Sequence, residues 1–473
     1  MTLSPSMLQE PEISNIDFDP FGSGLIQKVV PATEPQQEVW LSCVIGGEQA
    51  SLAYNESLAL QLHWNLNEEA MMEALKQIVL RHESFRTAFS GDGTKMIIFE
   101  YSEPEISYSN ISNESKTTQQ NIIDSFVKNE AARPFDLTYG PLVRIALFRQ
   151  SNNSFFLNFN THHIVCDGWS FGVLFEDLSA IYNALCKNEA LPAPPEQFSS
   201  YAMESIRFHN TQEYLNTEAY WINKYQPRVP TFEILPDFER PRMRTYASQR
   251  DDYFMNQSLA DRVKKAGAAH NCSFVTTLLS AFEVLVYKLT GQNDIVMGLP
   301  AAGQSATGMY NLIGHCVNLL PLRSTVDAGT RFCDHLKKRK TETLQDYDHQ
   351  QFTFGSLLKK INIHRDASRI PLVPVCFNID IGMDMNVSFK DIEHTIIYNP
   401  RVSETFELFL NITNVKDGYV LQWSYNTSLY RRETVKGWMD KYVYLLEQIS
   451  NNPHLDIDAY ELEDKLDVQN KIY

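Results

Sequence analysis

The stretch from Ser154 to Lys187 narrows the folds open to this chain. An apolar run, SFFLNF, enters the polar segment NTHHIVCDGWSFG (Asn160 to Gly172) and leaves it as the amphipathic run VLFEDLSAIYNAL. A strand that turns through a short polar loop into a helix belongs to mixed α/β layers, where each element buries its apolar face on the other. The same rhythm recurs. LALQLHWNL alternates like a strand, Asn67 can cap the next helix, and Met71, Ala74, Leu75, Ile78 and Val79 follow at helical spacing. KMIIFE and LVRIALFR read as further strands. The second half shows helices (LADRVKKAGAAH, VTTLLSAFEVLVYKLTG), strands (DIVMGLP, VPVCFNID), the hairpin-like FELFLNITNVKDGYVLQWSYN and a last helix, VKGWMDKYVYLLEQI.

At 473 residues the chain is longer than one hydrophobic core usually serves, so two lobes are expected. Residues 1–30, without clear periodicity, read as a loosely ordered leader or linker. The Pro-, Tyr- and Glu-rich segment from about Cys186 to Asp251 reads as a crossover, giving lobes at residues 31–215 and 216–473. The formal charge of −17 argues against nucleic acid and an anionic membrane as partners. Neither a membrane-length apolar stretch nor a signal segment after Met1 is evident. The seven cysteines are odd in number, scattered and never in CxxC, so a disulfide framework is not expected and a cytoplasmic location fits best.

Successive strand side chains point to opposite faces, so His162 and His163 cannot share one site. One faces a core or lobe interface, and the other can face a cleft. Asp167 falls at the turn into the helix, Gly168 permits a tight backbone, and the helix N-terminus offers free amides and partial positive charge. A base, a structural carboxylate and an anion-stabilising end within a few residues suit acyl transfer. A blander reading stands beside it: among twelve histidines a pair is more often structural, and Asp167 can be just a cap. A metal site is not expected, because neighbouring strand histidines diverge.

The segment His162-His163-Ile164-Val165-Cys166-Asp167-Gly168 fills the pattern HHxxxDG and resembles the core motif of condensation domains of nonribosomal peptide synthetases. Other landmarks follow in order: TEPQQEVW (Thr33 to Trp40), RHESFRTAF (Arg81 to Phe89), IGHCVNLLPLR (Ile313 to Arg323), HQQFTF (His349 to Phe354) and RDASRIPL (Arg365 to Leu372). The resemblance spans roughly Pro31 to Asn451. It implies two chloramphenicol-acetyltransferase-like lobes arranged as a V, with a central tunnel reached by a phosphopantetheine arm from each side. It also implies amide bond formation between a carrier-bound acyl or peptidyl thioester donor and a carrier-bound aminoacyl acceptor. On this reading His163 faces the tunnel midpoint, as base or as orienter of the amine, and Gly168 lets the backbone approach the reacting carbonyl. His162, Asp167 and Trp169 hold the site, and Ser170, His315 and Asn318 line the tunnel. The chain itself binds no cofactor. Donor and acceptor carrier proteins are the implied partners, with an adenylation domain as a possible neighbour, since the ending ELEDKLDVQNKIY resembles the linker into one.

Three departures qualify the resemblance. Gln304 stands where many relatives have an arginine facing the motif aspartate, so Asp167 needs another arginine or neutral hydrogen bonds. His315 and Cys316 replace an aromatic or apolar pair. Together with GGEQASLAYNES (Gly46 to Ser57), they look like condensation domains placed after polyketide modules. Trp169-Ser170-Phe171 differs from the continuation usual in epimerisation domains. The histidine pair excludes a heterocyclisation domain, and no DFGWG motif of plant alcohol acyltransferases is present. Ester formation with a hydroxyl acceptor stays open, as does a non-catalytic recruitment module, although such modules typically lose the second histidine. Arg81, Glu83 and Arg86 are read as a structural helix end, and Lys337-Lys338-Arg339-Lys340 as a solvated helix face.

Overall fold

The computed structural model describes residues 25–380, 382 and 385–463. Residues 1–24 of the expected leader, and the polar ending from residue 464 onwards, lie outside the described residues.

The N-terminal half runs β1 (Ile26–Pro31), α1 (Glu34–Leu52), β2 (Asn55–His63), α2 (Glu68–Arg81), β3 (Thr87–Phe89), β4 (Lys95–Phe99) and β5 (Glu105–Asn110). It continues through α3 (Lys116–Ala131), β6 (Val143–Ser151), β7 (Ser154–His162) and α4 (Gly168–Lys187). Two helices, α5 (Phe198–Phe208) and α6 (Gln212–Lys224), lead to β8 (Ser248–Asn256), α7 (Gln257–Ala268) and α8 (Phe274–Thr290). Next come β9 (Asp294–Ala302), α9 (Gly303–Thr307), β10 (Val317–Thr325), α10 (Phe332–Asp348) and α11 (Phe354–Lys360). The chain closes with β11 (Val375–Asp380), β12 (Glu393–Tyr398), β13 (Leu408–Val415), β14 (Gly418–Asn426) and α12 (Arg432–Asn451).

Two sheet-containing lobes result. The first is built on a five-stranded sheet of order β12-β2-β7-β6-β5, the second on a six-stranded sheet of order β10-β9-β11-β13-β14-β8. In the first, Leu75 and Ile78 of α2 and Leu174 and Leu178 of α4 bury one sheet face through Leu60, Leu62, Leu157 and Phe159. Asn67 caps α2 as expected, accepting from the Ala70 amide at 3.1 Å. In the second lobe the alternation along β14 decides the layering. Leu421, Trp423 and Tyr425 join the core, where Trp423 meets Phe282 of α8 and Tyr442 of α12, while Gln422 and Ser424 line the cavity between the lobes.

Several sequence expectations need correction. Residues 26–30 are not leader: β1 pairs antiparallel with β4 from Ile26 to Pro31. The segment read as a crossover contains α5 and α6, and the expected lobe boundary at residue 215 falls inside α6. Moreover β12, from the C-terminal half, pairs antiparallel with β2 of the first sheet in continuous register, Glu393↔His63 through Tyr398↔Leu58. The two strand departures, β1 and β12, rest on non-local pairing, to which local periodicity is blind. The basic run also divides. Lys337 and Lys338 are exposed, but Arg339 is fully buried, held by Asp346 at 3.0 Å and Glu283 at 3.4 Å. The helix end Arg81–Arg86 is structural: Arg81 grips Asp177 at 3.1 and 3.2 Å, and Glu83 accepts from the Ser199 amide at 3.0 Å.

Candidate active site

β7 ends at His162, and the next residues leave the strand under restraint from both sides. The His162 amide donates to the Leu142 carbonyl at 3.1 Å and the His163 amide to that of Tyr54 at 2.8 Å. The two rings then diverge, as strand geometry requires. His162 is fully buried beside Tyr54 and Phe135. Its Nδ1 accepts from the Ile164 amide at 3.2 Å and its Nε2 faces the Cys43 sulfur at 3.8 Å, an arrangement that puts its proton on Nε2. Burial, reinforced by His163 and Arg144, pushes its pKa down to about 3, so the ring stays neutral.

His163 opens into the cavity, which has a volume of about 1600 Å³ and walls from both lobes. Its Nδ1 lies 3.0 Å from Nδ1 of His315, with the rings edge to face. Burial first, then the neighbouring histidines, holds the His315 pKa well below the usual range. A neutral His315 can accept a hydrogen bond at Nδ1 from the Nδ1–H of His163, which leaves Nε2 of His163 for chemistry. That Nε2 is 3.4 Å from Oε1 of Glu56 on β2. Glu56 is buried and bound by Arg401 at 2.6 Å, and neither residue was singled out from the sequence. Glu56 sits inside the quoted GGEQASLAYNES, but its nearness to His163 depends on β2 pairing beside β7.

Asp167 is buried and caps α4, as its position suggested. It accepts from the Ser170 amide at 2.9 Å, the Ser170 hydroxyl at 2.7 Å, the Cys316 amide at 2.9 Å and the Gln304 side-chain amide at 3.2 Å to each oxygen. The replacement of arginine by Gln304 is thus met by neutral hydrogen bonds, Gln304 itself among them. These bonds tie α4 to the loop before β10 and so hold His163 against His315.

The remaining expected residues divide. Gly168 opens α4, exposed at the cavity wall. Trp169 is also at the wall, and its indole N–H donates to the Tyr310 carbonyl of the other lobe at 2.9 Å. Asn318 lines the cavity but spends its polar atoms on the carbonyls of Gln350 and Phe352 and the amide of Phe354, pinning that loop. Ser170, expected in the tunnel wall, is instead fully buried, bridging Asp167 to the Gly314 carbonyl at 2.9 Å. A helix-start hydroxyl turned toward its own cap is directed inward, which spacing alone does not reveal.

Among the described residues, His270, Cys333 and His454 could bring ligand atoms within 4.8 Å of one another, outside the cavity wall. Cys333 sulfur lies 3.5 Å from Nδ1 of His454, and Lys337 adds positive charge beside His270. No described helix is long and apolar enough to cross a membrane.

The family model described as Condensation domain matches residues 26–470. Surfactin synthase subunit 1 of Bacillus subtilis (strain 168) is 28% identical over 438 residues, covering 92% of this chain and 12% of that protein. Tyrocidine synthase 2 of Brevibacillus parabrevis is 27% identical over 442 residues, covering 92% of this chain and 12% of that protein. The chain thus spans 12% of the length of each of these relatives. The condensation domain from Monacolin K polyketide synthase MokA superposes with a TM-score of 0.81 at 18% identity, covering 92% of this chain and all of that one. With the family model matched over nearly its whole length, this chain belongs to the condensation domain family.

Proposed function

We propose that this chain joins a carrier-bound acyl or peptidyl thioester to the amine of a carrier-bound aminoacyl thioester, forming an amide. The observation that carries this reading is His163, whose Nε2 stands open in a cavity walled by both lobes while Nδ1 is anchored on His315. The donor acyl carbon and the acceptor nitrogen meet beside that imidazole. The nitrogen attacks, the C–S bond breaks, and His163 takes a proton from the amine and can return one to the leaving thiolate. Gly168 lets the backbone approach the reacting carbonyl. The substrates arrive on phosphopantetheine arms of donor and acceptor carrier proteins, and this chain binds no cofactor of its own. An adenylation domain as neighbour and a cytoplasmic setting belong to the same reading. The stretch Gly46 to Ser57, with His315 and Cys316, favours polyketide-like donors.

The test uses two carrier proteins, one loaded with an acyl thioester and one with an aminoacyl thioester, followed by intact mass. Native protein should move the acyl mass to the acceptor carrier, and His163→Ala should abolish transfer while leaving thermal unfolding within about 2 °C. No transfer across several donors, polyketide-like ones included, would favour a recruitment module of the same fold.

A further inference from the structure

Beyond the motif, the wall of the cavity nearest His163 carries more negative than positive charge. Arg401 is the guanidinium in contact with Glu56, at 2.6 Å, and it also faces Glu404 at 3.6 Å and feels the carboxyl of Asp380. Glu404 is 1% exposed, and its Oε1 accepts from the amides of Thr405 and Phe406. Its buried Oε2, without a hydrogen-bond partner, is the oxygen that Arg401 faces at 3.6 Å, and the residue is part of the cavity lining. Asp380 leans on Asn378, which donates at 3.0 Å. Three further guanidinium groups line the cavity, those of Arg244, Arg250 and Arg365, and the first two are committed elsewhere. Arg250 pairs with Asp252 at 2.9 Å and with the Tyr398 carbonyl at 3.1 Å, and Arg244 bonds the Thr405 carbonyl and lies over the Tyr246 ring. Arg401 therefore serves two carboxylates, Glu56 and Glu404, beside the candidate base, while burial raises the Asp380 pKa and favours its neutral form.

Geometry adds a second argument. The 3.4 Å gap between His163 Nε2 and Glu56 Oε1 is too long for a good hydrogen bond. A third atom can nevertheless sit about 2.8 Å from both, so a nitrogen bearing two N–H groups would donate one to each.

We propose that Glu56, with Arg401 and Glu404 behind it, is an ammonium-binding subsite that makes this chain select an amine over a hydroxyl acceptor. The inference rests on the amide-forming reading above and names its acceptor class. The acceptor's α-ammonium docks between Glu56 and His163 and passes one proton to Nε2, giving a neutral amine beside an imidazolium that Glu56 faces. The amine forms the C–N bond as the C–S bond breaks. Of the two protons that nitrogen loses, the leaving thiolate takes one and solvent the other. A neutral hydroxyl acceptor gains nothing from the surplus negative charge.

The experiment compares two acceptor carriers matched in shape, one loaded with alanine and one with lactate, against one donor carrier. Native protein, Glu56→Gln and Arg401→Gln are run side by side, each checked for native thermal unfolding. Native protein should prefer the alanyl carrier. Loss of a charge-assisted hydrogen bond in Glu56→Gln should lower the alanyl-over-lactyl ratio of kcat/KM by on the order of 10- to 100-fold. Arg401→Gln, which leaves the carboxylates unneutralised, should keep or raise the ratio. If Glu56→Gln does not fold, Glu404→Gln replaces it with the same sign and a smaller effect. Transfer by native protein with ratios unchanged in the variants overturns the subsite alone, as does a ratio that falls in Arg401→Gln. Transfer to neither carrier overturns the amide-forming reading and the subsite with it.

Discussion

Removing the Asp167 carboxylate should unfold the site before it touches the chemistry. Asp167→Ala takes the acceptor from four donors: the Ser170 amide, the Ser170 hydroxyl, the Cys316 amide and the Gln304 side chain. Two of these keep an alternative, because the Ser170 hydroxyl and the Cys316 amide both reach the Gly314 carbonyl, at 2.9 and 3.2 Å. The Ser170 amide and the Gln304 amide lose their partner outright, in a region with little access to water. At about 1–3 kcal/mol for each orphaned buried donor, the loss is about 2–6 kcal/mol. Domains commonly hold about 5–15 kcal/mol, so this is a large share. For a unit of lobe size it corresponds to a fall in Tm on the order of 10 °C. Asp167→Asn should lose less, since its amide oxygen still accepts from the Ser170 amide, the Ser170 hydroxyl and Gln304, while its NH₂ faces the N–H groups of Cys316 and Gln304 where the second carboxylate oxygen stood. The double variant D167N/Q304E puts an acceptor opposite that NH₂ and should recover part of the loss, a coupling that a double-mutant cycle reads directly. Thermal unfolding by circular dichroism measures all of these. A Tm within about 2 °C of native for Asp167→Ala, or equal stability of native and Asp167→Asn, would refute the reasoning.

The other predictions concern histidine and glutamate. His163→Ala should cost about 10²–10⁴-fold in transfer, the range of a positioned acid or base, with unfolding little changed; equal turnover by the variant removes His163 from the mechanism. His162 is held neutral with a pKa of about 3, whereas the unfolded chain binds that proton below about 6.5. Unfolding therefore takes up a proton between those values, and stability falls on acidification at up to about 1.4 kcal/mol per pH unit. His162→Phe should flatten Tm against pH between about 6.5 and 4.5, and an unchanged slope would count against this. Burial raises the Glu38 pKa to about 7, so the folded state favours its protonated form, and the associated stability is lost as pH rises through that value. Glu38→Gln should raise Tm at pH 8 and much less at pH 5; a pH-independent effect would reject burial as the cause.

Much of the fold was legible in local pattern. The alternation of β2, the helical spacing after Asn67 and the strand-turn-helix unit around His163 are short-range signals, and the structure follows them. Asp167 as cap follows from the helix start and the divergence of the two histidines from strand alternation, while the choice of His162 as the buried ring came with the resemblance to condensation domains. The misreadings share one origin. β1 needs β4 to be a strand, and β12 needs β2 from the other half of the chain. Arg339 sits in a run of exposed bases, yet Glu283 and Asp346 draw it inward.

The sequence by itself determined the mixed layers, the strand-to-helix turn and the divergence of the two histidines, because each depends on backbone geometry within a few residues. The tertiary structure decided what surrounds His163. His315 lies 152 positions away, and Arg401, which holds Glu56, lies 345 positions from it. Packing and strand pairing bring these groups together, and with them the sign of the charge beside the base; neither distance nor charge at close range is written into the spacing of residues along the chain.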